Sequence, residues 1–233
     1  MSHLLAFFVS KMKYYAIIVA GGSGQRMKSS VPKQFLELNG RPVLMHTLEK
    51  FYSAKSSIEL IVVLPKTHHS TWNTLCEKHY FNLAHQVCKG GASRFQSVKN
   101  GLALCTKESI IAVHDGVRPL ITPNFILDIY RKTETKKVVI PVCSVIESIR
   151  KVDGNDSVAL DRSQYYSVQT PQCFSSDMLK IAYQQSEQST FTDDASVVEA
   201  LGKNVHLIKG DRMNIKLTTP EDFVFAEALL KHF

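Results

Sequence analysis

Ala16-Ile17-Ile18-Val19-Ala20-Gly21-Gly22-Ser23-Gly24-Gln25-Arg26-Met27, followed shortly by Pro32-Lys33-Gln34, is the stretch on which the fold turns. An apolar, β-branched run of the kind that fills a buried strand leads straight into three glycines within four positions. Glycine has no Cβ, so such a turn lets backbone N–H groups approach an anion and cradle a phosphate. Spacing excludes two familiar cradles. A dinucleotide fingerprint needs Gly-x-Gly-x-x-Gly, and counting from Gly22 the third glycine's place is held by Met27. A P-loop needs Lys and then Ser or Thr after its last glycine, whereas Gly24 is followed by Gln25 and Arg26. What remains is a glycine-rich turn with Arg26 just beyond it and Lys33 seven residues later. Two cations beside a triphosphate would neutralise charge that builds on an α-phosphoryl group during displacement. An ordinary strand-to-helix turn with surface cations accounts for the glycines alone equally well.

Working outward, strand-like runs at residues 15–20, 59–64, 84–88, 109–113 and 137–142 alternate with helical patterns. Val43, Leu44, Thr47, Leu48 and Phe51 fall at helical spacing, as do Val98, Leu102 and Cys105. Such alternation predicts an α/β fold, a mainly parallel sheet flanked by helices in a Rossmann-like way, with ligand loops at the carboxyl ends of the strands. Between residues 143 and 168 the pattern changes. Apolar alternation, an Asp153-Gly154-Asn155-Asp156 turn and a second short run predict a protruding β-arm. Such an arm either pairs with a neighbouring subunit or lies on its own domain. Helical patterns return at 176–186, 194–201 and 220–230. Residues 12–233 thus read as a single domain, and the apolar residues 1–11 before Met12, too short to span a bilayer, as a dispensable extension.

Composition agrees. The 233 residues are 44% hydrophobic and 21% charged, enough to bury one sizeable core. The net charge of +7 is spread without a basic run longer than a pair, which favours a pocket for small polyanions over nucleic acid. Five cysteines without a C-x-x-C pair and nine histidines without H-E-x-x-H speak against a disulfide framework or a zinc site. A cytoplasmic location follows as the expectation, with no membrane partner.

The run from Gly21 to Met27 with Pro32-Lys33-Gln34-Phe35 resembles the signature of nucleotidyltransferases that make sugar- and alditol-linked nucleotides. Further segments follow in order: Gly90-Gly91-Ala92-Ser93-Arg94-Phe95-Gln96-Ser97-Val98, His114-Asp115-Gly116-Val117-Arg118-Pro119, and Asp161-Arg162 with Gln169-Thr170-Pro171-Gln172. Thr192-Asp193-Asp194-Ala195-Ser196 and Asn214-Ile215-Lys216-Leu217-Thr218 complete the set. Together they resemble the 2-C-methyl-D-erythritol 4-phosphate cytidylyltransferase family of non-mevalonate isoprenoid synthesis.

The resemblance implies a homodimeric, Mg²⁺-dependent transferase that uses CTP and an alditol phosphate and releases pyrophosphate. It implies that Ala20, Gly21, Gly22 and Gly24 cradle the nucleotide, that Gly91, Ala92, Arg94 and Ser97 help to fix the cytidine, and that Arg118 belongs to the same site. Arg94 and Ser97 lie three apart at a helix start and share a face that can point at a nucleotide; a solvated helix cation is the alternative for Arg94. The family often has an acidic residue where Ala92 stands, so only a main-chain contact carries over there. Arg26 and Lys33 are the expected transition-state cations. Asp115, in a tight loop after a strand, suits an Mg²⁺-bearing triphosphate or a substrate hydroxyl; an Asp115–Arg118 ion pair that shapes the loop is the alternative. Arg162, reaching from one subunit into the other's site, and Lys216 are implied to grip the acceptor phosphate, with Thr170 and Thr192 as polar contacts. Ser148 stands near the place of a family threonine, in a segment with inserted residues. The rivals are a cytidylyltransferase for ribitol 5-phosphate and a nucleotide-sensing domain without catalysis.

Overall fold

Tyr15, Ala16, Ile17 and Ile18 are all buried, because successive side chains of this strand point to opposite faces of a sheet that is covered on both sides. Ala16, Ile18 and Ala20 enter one core and Tyr15 and Ile17 the other. The computed structural model describes residues 12–22 and 31–231; the expected extension at 1–11 lies outside them.

The strands are β1 (Lys13–Val19), β2 (Glu37–Leu38), β3 (Arg41–Pro42), β4 (Ile58–Leu64), β5 (Gln86–Lys89), β6 (Ser109–Asp115), β7 (Val138–Ser144), β8 (Ile149–Asp153), β9 (Asp156–Leu160), β10 (Tyr166–Val168), β11 (Gln172–Ser175) and β12 (His206–Lys209). The helices are α1 (Val43–Ala54), α2 (His69–Lys78), α3 (Arg94–Leu102), α4 (Pro123–Lys136), α5 (Ser176–Ala182), α6 (Asp194–Glu199) and α7 (Pro220–Leu230). The main sheet runs β10-β7-β11-β6-β1-β4-β5, with β12 also on β7. Strands β5, β4, β1 and β6 are mutually parallel. Beyond β6 the expectation needs refinement: β11 inserts antiparallel between β6 and β7, and β10 pairs antiparallel to the end of β7.

One core face is closed by α1, α2 and α4 through Leu44, Leu48, Phe51, Trp72, Ile126 and Ile129. The other is closed by α3, α5 and α6 through Phe95, Val98, Leu102, Leu179, Val197 and Val198. Fully burying a side chain such as Phe51 stabilises the fold by about 2 to 3 kcal/mol. Helix α3 sits so close to the sheet that a Cβ on Gly101 would meet Ile17 Cγ2 at 2.9 Å.

The predicted arm is present as β8 and β9, a separate antiparallel pair closed by Gly154 at φ +57°. Its first strand starts at Ile149, later than the pattern suggests. Val152 and Val158 on it are exposed at 71% and 60%, so among the described residues it has no core of its own. Among the described residues no helix is long and apolar enough to cross a membrane.

Candidate active site

Because β5, β4, β1 and β6 run parallel, their carboxyl ends open on one edge, where open α/β sheets bind ligands. The loops after them form a cavity of about 270 Å³ lined by Ala20–Gly22, Lys33, Gln34, Pro65, Gly90–Arg94, Ser97, Asp115 and Lys216. A second cavity of about 280 Å³ adjoins it and contains Arg118, Gln169, Thr170, Gln172, Thr192 and Asp193. Arg94, Asp115 and Lys216 belong to both and form the wall between them.

The first loop is fixed from its own strand and from the segment after it. The Ala20 N–H donates to the Val63 carbonyl at 3.0 Å, and Gln34 Nε2 donates to the Ala20 carbonyl at 2.7 Å. Among the described residues a Cβ on Gly21 would find only Pro65 Cδ, at 4.0 Å, and one on Gly22 only Lys33 Cε, at 3.5 Å. Among the described residues these glycines therefore relieve no clash, and a side chain on either would project toward the cavity. Lys33 lies in a 3-10 turn, Lys33–Phe35, against that space. Gly24 and Arg26, the other expected members of this loop, lie outside the described residues. Gln34 is the residue that motif reading passed over: it is 1% exposed, lines the cavity, and holds the loop by its amide.

The second loop precedes α3. Gly90 N–H donates to the Leu64 carbonyl at 2.7 Å and Gly91 N–H to Ser97 Oγ at 3.0 Å, while Ser97 Oγ donates to the Ser93 carbonyl at 2.8 Å. Ser97 thus shapes the loop with its hydroxyl while lining the cavity. Ala92 lies in the cavity lining with Gly91. A Cβ on Gly91 would stand 2.3 Å from Gln96 Cβ and 2.9 Å from the Gln96 carbonyl carbon, so the loop can pass the helix start only as glycine.

Asp115 is the hub of the shared wall. Its Oδ2 accepts from Arg118 Nε and from Lys216 Nζ, each at 3.1 Å. Burial pushes this carboxyl up, but Lys216 and then Arg118 outweigh it and hold it well below the usual carboxylate range. The Asp115–Arg118 pair expected as an alternative is therefore real, and Arg118 also donates to the Asn214 carbonyl at 2.8 Å, tying the loop to the Lys216 segment. That segment is an irregular loop; the short strand before Lys216 is β12, which ends at Lys209. Thr170 is 6% exposed, and its hydroxyl accepts from the Asp115 N–H and meets His114 Nδ1, both at 3.0 Å. Its side chain therefore supports the Asp115 loop from inside. Among the described residues no group of three His, Cys, Asp or Glu side chains could cage a metal ion. One carboxylate shared by two cavities of about 270 and 280 Å³ fits Mg²⁺ carried in on a triphosphate, because that ion favours one or two carboxylates plus phosphate oxygens.

Arg94 is not a solvated cation. Its Nη1 and Nη2 donate to Asp194 Oδ1 and Oδ2 at 2.9 and 2.6 Å, and the Tyr183 hydroxyl donates to Asp194 Oδ1 at 2.6 Å. Asp194 lies within the motif that starts at Thr192, but nothing local names its partner 100 positions away. Thr192 lines the second cavity as expected. Ser148 and Arg162 line neither cavity: Ser148 is exposed before the arm, and Arg162 at the arm's base donates to the Ile146 carbonyl.

Residues 14–232 match the family model for 2-C-methyl-D-erythritol 4-phosphate cytidylyltransferase. The chain is 49% identical over 219 residues to the protein of that name from Phocaeicola vulgatus, covering 94% of this chain and 100% of the relative. It is 50% identical over 219 residues to the one from Bacteroides thetaiotaomicron, with the same coverage. The crystal structure of the Thermus thermophilus enzyme of that name superposes with a TM-score of 0.77 at 29% identity, covering 94% of this chain and 100% of the other. The Anaerococcus prevotii structure, titled 4-diphosphocytidyl-2C-methyl-D-erythritol synthase, gives 0.80 at 29% identity over 94% and 99%. With a glycine-walled cavity at the strand ends joined to a second one by Arg94, Asp115 and Lys216, the chain belongs to the 2-C-methyl-D-erythritol 4-phosphate cytidylyltransferase family.

Proposed function

We propose that the chain transfers CMP from CTP to 2-C-methyl-D-erythritol 4-phosphate, giving 4-diphosphocytidyl-2-C-methyl-D-erythritol and pyrophosphate. The observation that carries this reading is the pair of adjoining cavities with one cationic wall, in a chain of this family. In-line displacement needs two anionic partners held end to end. The first cavity takes the nucleotide, with Ala20, Gly21, Gly22 and Gly24 at the phosphates and Gly91, Ala92, Arg94 and Ser97 on the cytidine side. The second takes the acceptor, with Thr170 and Thr192 on its walls and Arg118 behind.

A phosphate oxygen of the acceptor attacks the α-phosphorus, the bond to the β-phosphate oxygen breaks, and pyrophosphate leaves. An acceptor phosphate is already largely ionised at neutral pH, its second pKa being about 6, so no protein base is required. The residues position and neutralise. Lys33 and Arg26 stabilise charge at the α-phosphoryl group, and Lys216 steers the acceptor phosphate from the shared wall. Asp115 is the residue that would hold Mg²⁺, which when bound offsets charge on the leaving pyrophosphate.

The arm supports a two-fold assembly. Val152 and Val158 are exposed on a pair of strands that joins no other sheet among the described residues, and two strands alone are marginal in water. In a homodimer the arm carries Arg162, with Ser148 nearby, to the acceptor cavity of the other subunit. The test is pyrophosphate release with Mg²⁺, screened over the four nucleoside triphosphates against methylerythritol and ribitol phosphates. Release with CTP and methylerythritol phosphate is expected; a preference for ribitol phosphate would reassign the acceptor, and no release with any pair would leave a nucleotide-binding domain.

A further inference from the structure

Behind Arg94, on the side away from the cavities, stands a carboxylate that the transfer itself does not require. Asp194 is completely buried and gives both carboxylate oxygens to the two terminal nitrogens of Arg94. Its position is over-determined. Asp193 caps α6 through a reciprocal box with Ser196, and Gln172 donates to Asp193 Oδ2 at 2.7 Å while accepting from the Ala195 N–H at 2.9 Å. Tyr183, which completes the carboxylate, is itself stacked on Phe95 with ring centroids 4.6 Å apart. Phe95 follows Arg94 directly in α3, so the ring stack and the ion pair lock the same helix start.

A buried ion pair adds little net stability compared with apolar side chains of the same size, because desolvation offsets the attraction. Stability alone is therefore a weak reason for this construction. What distinguishes the pair is its asymmetry: Asp194 is sealed off, whereas the Arg94 side chain remains one-third exposed and forms part of the wall between the cavities. Arg has five N–H donors, and the fork to Asp194 uses two, which leaves three on the edges of a guanidinium of fixed orientation for other partners.

We propose that Asp194, backed by Tyr183, is a positioning residue for the transfer: it holds the Arg94 guanidinium in the wall that the nucleotide cavity shares with the acceptor cavity. The proposal rests on the transfer reading above. Asp194 touches neither substrate; it acts through Arg94, and the guanidinium arrives pre-oriented so that no side-chain ordering accompanies substrate binding.

The test measures steady-state pyrophosphate release and thermal unfolding in the full-length parent, in Asp194→Asn, and in a paired Arg94→Met, Asp194→Leu variant. Asparagine keeps the shape but replaces one acceptor oxygen by an N–H donor facing the guanidinium. The paired variant leaves no buried charge uncompensated, so it keeps the fold even if Asp194→Asn does not. The expected result is a drop in kcat/KM of at least ~30-fold in Asp194→Asn and ~100-fold in the paired variant, the scale set by losing orientation at a reacting centre. The loss should lie partly in kcat, and the melting temperature of the paired variant should fall only by the few degrees that one unpaired buried Tyr183 hydroxyl costs. Activity of the paired variant within ~3-fold of the parent overturns the proposal while leaving the transfer reading intact, since a merely structural pair is replaceable. Failure of the paired variant to fold also overturns it, making the pair structural. A parent without activity sinks the transfer reading and the proposal with it.

Discussion

Lys33 and His114 show how single side chains divide the labour between chemistry and support. Lys33 lies beside Gly22, its Cε 3.5 Å from where a Cβ on that glycine would stand, and it lines the first cavity. Replacing it with alanine removes the ammonium that we propose stabilises the transferring phosphoryl group. We expect Lys33→Ala to lower kcat by about 100-fold or more, the scale of losing one electrostatic donor, with the fold unchanged. Near-parental turnover in the pyrophosphate assay would remove Lys33 from that role. His114 is fully buried and works from inside. Its Nε2 lies 3.3 Å from the Arg118 carbonyl, which can only accept, so Nε2 carries the proton and Nδ1 accepts from the Thr170 hydroxyl. That hydroxyl in turn accepts from the Asp115 N–H, so with a neutral ring every member of the chain of bonds has both a donor and an acceptor in place. Burial pushes this imidazole down to about 4. Below an unfolded value of about 6.5 the unfolded chain binds a proton that the folded one refuses, so this group's contribution is intact above that pH and erodes as pH falls. Between pH 7 and pH 4.5 the erosion amounts to roughly 2 to 3 kcal/mol. Urea melts at both values should show a parent slope steeper by that amount than in His114→Asn; equal slopes would mean that the ring is not held neutral.

At the level of elements, the α3 start depends on a contact that only glycine permits. Any side chain on Gly91 must displace Gln96 or its backbone, and the same loop is held by Ser97 Oγ through the Gly91 N–H. Gly91→Ala should therefore raise the KM for CTP by ~10-fold or more, a misplacement of the cavity wall, with little change in the KM for the acceptor. Titration of each substrate separately checks this, and an unchanged CTP constant would refute it. The elements that the sequence announces are those with local causes. Buried strands β1, β4 and β6 show unbroken apolar runs, and α1 and α7 carry their periodicity or Pro220 start in plain view. Pattern alone names neither α2, where only Trp72 is buried, nor α4, although Thr122 accepts from the Phe125 N–H just before Pro123. Strand β11 is four residues long and its antiparallel place between β6 and β7 is decided by partners far along the chain. The site divides along the same line. Its loops are legible because glycines and cations follow strands directly, whereas the Asp194 fork, the His114–Thr170 chain and the Gln34 amide depend on tertiary contacts with no local signature.

Across the whole molecule, the distance between Arg162 and the cavities becomes the informative feature. Within one chain Arg162 bonds to the Ile146 carbonyl at the base of an exposed arm and lines neither cavity. A two-fold dimer exchanging arms makes each acceptor site from two subunits, which is a property that mixing can expose. Arg162→Ala and Lys33→Ala should each be nearly inactive alone. When the two are unfolded, mixed in equal amounts and refolded together, half of the dimers combine one subunit of each kind. In such a dimer the site built on the Arg162→Ala subunit keeps its own Lys33 and receives an intact Arg162 from the Lys33→Ala subunit. The other site lacks both. Half of the sites in half of the dimers are then whole, and activity should return to about one quarter of the parental value. If Arg162 serves only its own chain, every site lacks one of the two cations and mixing restores nothing. Light scattering on the same samples must show a dimer in both cases, so that the absence of recovery reports where Arg162 acts and not a failure to assemble.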